Sequence, residues 1–174
     1  MRLCMALGLI PVSPHRMEVS LIAATQDSDT GRVREVLYDV FQVIEKDVSK
    51  DYGGTMQHLW IDFELIQSWA ERRPPLAFRF QKRVSGSSFT KMTGLPAPVY
   101  EHVGHYSVRP DFQKLLALPL ESVPSYALSL IYASTSVLLE KQKKLGGFDA
   151  PRFRMDFLAS CRQHGYEIDH ENAG

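Results

Sequence analysis

The chain has two cysteines in 174 residues, Cys4 and Cys161, too few and too far apart for the disulfide framework on which small secreted domains rely. Reduced thiols and a cytoplasmic location are the expectation. Neither sign of charge is in excess: twenty Lys and Arg balance twenty Asp and Glu, whereas a phosphate-binding surface needs clustered cations to displace counterions. Nucleic acid is therefore not an expected partner. The basic groups at Arg72, Arg73 and residues 141–144 read as solvated faces. No apolar run approaches the roughly 20 residues that cross a bilayer, and the short one at residues 3–12 has no small-x-small cleavage site behind it. No membrane partner is expected. A dinucleotide fingerprint, a phosphate-binding loop, a complete metal motif, a glycine-framed nucleophile and a kinase signature are all missing. No cofactor and no metal is implied.

What remains is a folded chain of ordinary composition, 44% apolar and 23% charged, long enough to bury a core as one domain. Residues 17–168 are expected to form that domain. Residues 1–16 read as a disordered leader or a misassigned start, because Met17 opens the first convincing strand, and residues 169–174 read as a frayed tail.

Residues 17–25 are β-branched and partly alternating, a strand. Val33, Val36, Leu37, Val40, Phe41, Ile44 and Val48 then recur at intervals of three and four, the apolar stripe of a helix that Gly53 and Gly54 terminate. Residues 57–66 alternate cleanly, with Leu59, Ile61, Phe63 and Leu65 on one face and His58, Trp60, Asp62 and Glu64 on the other. Residues 76–84 alternate likewise. The short connection between them predicts antiparallel neighbours, which sets Asp62 and Glu64 against Arg79 and Arg83. Residues 85–98 read as a mobile loop and residues 99–108 as a fourth strand. Asp111 is placed to cap a short helix over residues 112–118. A long apolar helix runs on from Ser122, with Pro124 in its first turn. The last helix has Asp149 as N-cap, Phe153, Phe157 and Cys161 at intervals of four, and Gly165 at its end. The order β-α-β-β-β-α-α predicts a two-layer α+β sandwich, a mostly antiparallel four-stranded sheet with about three helices.

Functional groups are densest in residues 99–112. On a regular strand Glu101, His105 and Arg109 share one face, and Tyr100, His102 and Tyr106 share the other. A carboxylate two positions from an imidazole suits a general acid/base pair, and Arg109 beside it suits an anionic substrate group. His102 and His105 are three apart, which on a strand sends them to opposite faces and weakens a metal reading. Two functions emerge. The first is a non-catalytic module that binds another protein, an inhibitor, immunity-like protein or adaptor, with Trp60, Tyr100, His102, Tyr106, Arg109 and Asp111 as its contact residues. The alternative is a small hydrolase or transferase with Glu101 and His105 as catalytic pair.

Overall fold

The computed structural model describes residues 16–23, 28–54, 56, 58–65, 76–81, 103–141 and 146–169. The expected leader up to residue 15, the loop at 85–98, the strand's first half at 99–102 and the tail from 170 lie outside the described residues. The elements are β1 (Arg16–Ala23), α1 (Ser28–Val48), β2 (His58–Leu65), β3 (Leu76–Gln81), β4 (Val103–Val108), α2 (Phe112–Ala117), a 3-10 turn at Leu120–Ser122, α3 (Val123–Lys141) and α4 (Ala150–Gln163).

The sheet runs β1-β2-β4-β3. β1, β2 and β4 form a three-strand, all-parallel body, and β3 joins β4 antiparallel at the edge. This overturns the expected mostly antiparallel sheet, and the described residues alone form four helices where about three were expected. Two physical reasons account for the difference. The 21-residue α1 carries the chain back to the level where β1 began, so β2 starts in the same direction as β1. A short connection between β2 and β3 then permits a hairpin without enforcing one, and β4 inserts between them. β2 consequently pairs with β4 and not with β3, so Asp62 sits opposite Ser107 and not Arg79, while Arg83 lies outside the described residues. Arg79 is instead the register partner of His105.

Alternation decides the two faces of the sheet. Met17, Leu59, Ile61, Phe63, Leu65, Tyr106 and Val108 enter one core with Leu37, Phe41 and Ile44 of α1, Leu128 and Ile131 of α3, and Phe153 and Phe157 of α4. Ile61 and Phe63 are completely buried, each stabilising the fold by about 2 kcal/mol through removal of apolar surface from water. Phe41 meets Phe63 edge to face at 5.5 Å, the arrangement that brings ring hydrogens onto a neighbouring π face. The helices α1, α3 and α4 therefore cover the side of the sheet that carries these residues.

α1 also covers the outer edge of β1. The amide of Met17 donates to Ser49 Oγ at 3.2 Å and that of Val19 to Glu45 Oε1 at 2.5 Å. Edge amides engaged in this way no longer offer a template to another strand. α1 ends at Val48, before the two glycines expected to terminate it; Gly53 and Gly54 lie in the turn beyond and take φ of 68° and 76°, a left-handed conformation open to glycine at no steric cost. Gly53 also lies against Gly147, where an added Cβ would stand 3.6 Å from the carbonyl oxygen.

Candidate functional site

The second face of the sheet is polar, and it gathers Glu18 and Ser20 from β1, His58, Trp60, Asp62 and Glu64 from β2, and His105 and Ser107 from β4, with Arg109 just beyond. Period-two alternation places every one of them there, since each neighbours a core residue in sequence. Pairing then decides which of them meet.

His105 Nε2 lies 2.6 Å from Asp62 Oδ2. An ionised carboxylate only accepts, so the ring nitrogen donates. The two are not register partners, as Asp62 sits opposite Ser107 and Trp60 opposite His105, so the contact runs diagonally across the parallel pair. The imidazole is 30% exposed and the carboxylate 15%, which leaves the dyad reachable from solvent. One step further along, the Arg109 guanidinium donates through Nε to Glu64 Oε2, and here both side chains are buried, at 6% and 5% exposure. A buried carboxylate without a cation is strongly unfavourable, and this pairing offsets that cost.

Trp60 stands between two imidazoles. Its ring stacks with that of His58 at a centroid distance of 6.1 Å and 15° between planes, and tilts against His105 at 5.5 Å. The indole Nε1 donates to Ser20 Oγ at 3.0 Å. Ring contacts on both sides and a hydrogen bond at the edge hold the indole in one orientation. His58 Nε2 lies 3.6 Å from Glu18 Oε2, completing a row of three rings, His58, Trp60 and His105, with an acid at each end, Glu18 and Asp62.

The residues expected to form a site are dispersed by the fold. Trp60, His105 and Arg109 share the polar face; alternation had put His105 and Arg109 on one side of their strand and left open which side of the sheet that would be. Tyr106 does not lie on a contact surface: it is 1% exposed in the core, where its hydroxyl bonds Thr135 of α3, and burial pushes its phenol well above the usual range. Asp111 serves as the N-cap of α2, its Oδ1 accepting from the Lys114 amide at 3.1 Å. Arg109, expected as an anion contact, is paired with the buried Glu64 carboxylate. Glu101, Tyr100 and His102 lie outside the described residues; among those residues the acid beside His105 is Asp62. Sequence alternation had already placed Asp62 and Glu64 on the polar face. What it does not carry is the strand order, which sets them beside His105 and Arg109.

Among the described residues no group of three or more His, Cys, Asp or Glu is arranged to hold a metal ion. No helix among them is long and apolar enough to cross a membrane. Family models, curated proteins and solved structures contain no match to this chain.

Proposed function

We propose that the chain is a non-catalytic, cytoplasmic protein-binding module of inhibitor, immunity-like or adaptor type, with the polar face of the sheet around Trp60 and His105 as its recognition surface. The observation that carries this reading is the fixing of Trp60 between His58 and His105 with its indole N–H on Ser20. A large aromatic already held in one orientation loses little conformational freedom on binding, and such residues dominate the energy of protein interfaces. Asp62 and Glu18 beside it suit a partner segment that presents a cation to the indole and the carboxylates.

The test is affinity capture from source-cell lysate with wild type beside Trp60→Ala and His105→Ala, each verified to melt cooperatively, and then calorimetry with the purified partner. A stoichiometric partner that both variants bind at least tenfold more weakly supports the reading. Equal capture by wild type and variants refutes it.

The short Asp62–His105 contact favours a second reading, a small hydrolase or transferase. The carboxylate orients the imidazole, and with Nε2 committed to Asp62 the other ring nitrogen, Nδ1, is the one to exchange a proton with substrate. Turnover of an ester or phosphoester panel that His105→Ala abolishes would establish this reading, and activity that survives that substitution would exclude it.

A further inference from the structure

Away from the sheet, a cavity of about 450 Å³ lies between α2, α3 and the segment that follows α4, a size in the range of small-molecule sites. Residues four apart on a helix share a face, so α3 lines it with two rows. Tyr126 and Leu130 form an apolar row, and Ser125 and Ser129 a polar one beside it. The hydroxyls are engaged within the protein. Ser125 Oγ accepts from the Glu167 amide at 3.2 Å, and Ser129 Oγ accepts from the Asp169 amide at 2.9 Å while donating to the Ser125 carbonyl at 2.7 Å. These bonds, with Tyr166 and Ile168 packed against the core, fix the wall opposite α2. The cavity is therefore preformed.

Its charged groups are of both signs. Lys114 Nζ stands 5.1 Å from the centroid of the Tyr126 ring, an arrangement that favours a cation over a π face. Glu167 is held at the same level of α3 by the hydrogen bond of its amide to Ser125. Among the described residues no ion pair joins Lys114 to Glu167, although both line the cavity. Asp169 also borders it but has a further interaction of its own. One helical turn beyond the Lys114 and Glu167 level, Leu130 and Ile168 supply apolar wall.

We infer that this cavity binds a free α-amino acid with an apolar side chain. Such a molecule carries its ammonium and carboxylate on one carbon, so its site needs unlike charges at one level and apolar surface beyond them. Here the ligand carboxylate accepts from the Lys114 ammonium, the ligand ammonium donates to the Glu167 carboxylate, and the side chain lies along Leu130 and Ile168. A simple carboxylate would meet Glu167 as a like charge, and a simple amine would meet Lys114 in the same way, so the pair selects against both. Because Lys114 already rests on Tyr126 and the wall is fixed, little ordering is required of the protein on binding.

Titration of the full chain with L-leucine and with L-phenylalanine, followed at single amides by NMR, tests this. At least one of the two should shift the amides of Tyr126, Leu130, Glu167 and Ile168 saturably, with a midpoint below about 1 mM. For whichever binds, the analogue lacking the amino group (isocaproate or phenylpropionate) and the analogue lacking the carboxylate (isoamylamine or phenethylamine) should bind at least about tenfold more weakly. Lys114→Gln and Glu167→Gln should each weaken amino-acid binding by about the same factor. Three results would each overturn the inference: no saturable shift with either amino acid up to about 10 mM, saturable shifts confined to residues away from the cavity, or an analogue with one charge that binds as tightly as its parent. The analogues are measured on wild type, so they decide the matter even where a substitution unfolds the chain. A folded Lys114 or Glu167 variant that binds as wild type does would also overturn it.

Discussion

The Arg109 guanidinium is bound to the Glu64 carboxylate inside the protein, with the two side chains 6% and 5% exposed. Removing one partner strands the other charge. Arg109→Ala is expected to lower stability by about 3 to 5 kcal/mol, and Glu64→Leu/Arg109→Met, which removes both charges, should recover most of that loss. Urea unfolding of the two variants checks this, and a single variant within about 1 kcal/mol of wild type would contradict the buried pairing.

Tyr106 ties the sheet to α3 through the hydrogen bond between its hydroxyl and Thr135. Tyr106→Phe deletes one buried partner and should cost about 1 to 2 kcal/mol. Because the ring itself stays in place, the urea m-value should be unchanged while the midpoint falls. A midpoint equal to wild type would show that the hydroxyl contributes nothing.

Asp47, near the C-terminus of α1, joins that helix to the end of α4. It accepts from Ser160 Oγ at 2.7 Å, and His164 Nε2 lies 3.0 Å away. The Ser160 hydrogen bond, aided by His164 and Lys50 and opposed by partial burial, holds its carboxyl below the ordinary value. A depressed value in the folded state means that Asp47 stabilises the fold above its unfolded-state pKa, near pH 4. That contribution disappears as pH falls through the lower folded-state value. In urea midpoints measured from pH 6 down to pH 2.5, Asp47→Asn should therefore give a shallower acid limb than wild type. Parallel limbs would exclude the linkage.

Cys161 is fully buried in α4, and burial pushes its thiol up to about 12. Since the thiolate is the reactive form, iodoacetamide at pH 8 should leave Cys161 unmodified in the native protein and label it completely in urea. Peptide mapping by mass spectrometry distinguishes the two states. Native labelling of Cys161 at the rate of a free thiol would show that α4 opens readily.

Much of the local structure was legible in the residues. Asp111 and Asp149 cap α2 and α4 as their positions predict, accepting from the amides of Lys114 and Arg152. The stripe at Val33, Leu37, Val40, Phe41, Ile44 and Val48 is buried in α1. Spacing of three and four can only produce a one-sided helix, and the caps act over a single turn, so neighbours in sequence suffice to specify them. The two faces of β2 were legible for the same reason. Tyr106 shows where that reasoning ends: alternation separated it from His105 and Arg109, but not which of the two faces would be covered by helices.

By itself, then, the sequence determined that Asp62 and Glu64 would leave the core-facing row of β2, and that His105 and Arg109 would share one face opposite Tyr106, because a period of two is a property of one strand alone. Only the tertiary structure decided that they meet. Strand order depends on long-range pairing, and the short β2–β3 connection was compatible with a hairpin that did not form. α1 returned the chain parallel to β1, and β4 took the place beside β2, where its histidine and the arginine just past its end meet the largely buried Asp62 and the buried Glu64. Those pairings arise between residues more than 40 positions apart, a separation at which no local pattern in the chain specifies a partner.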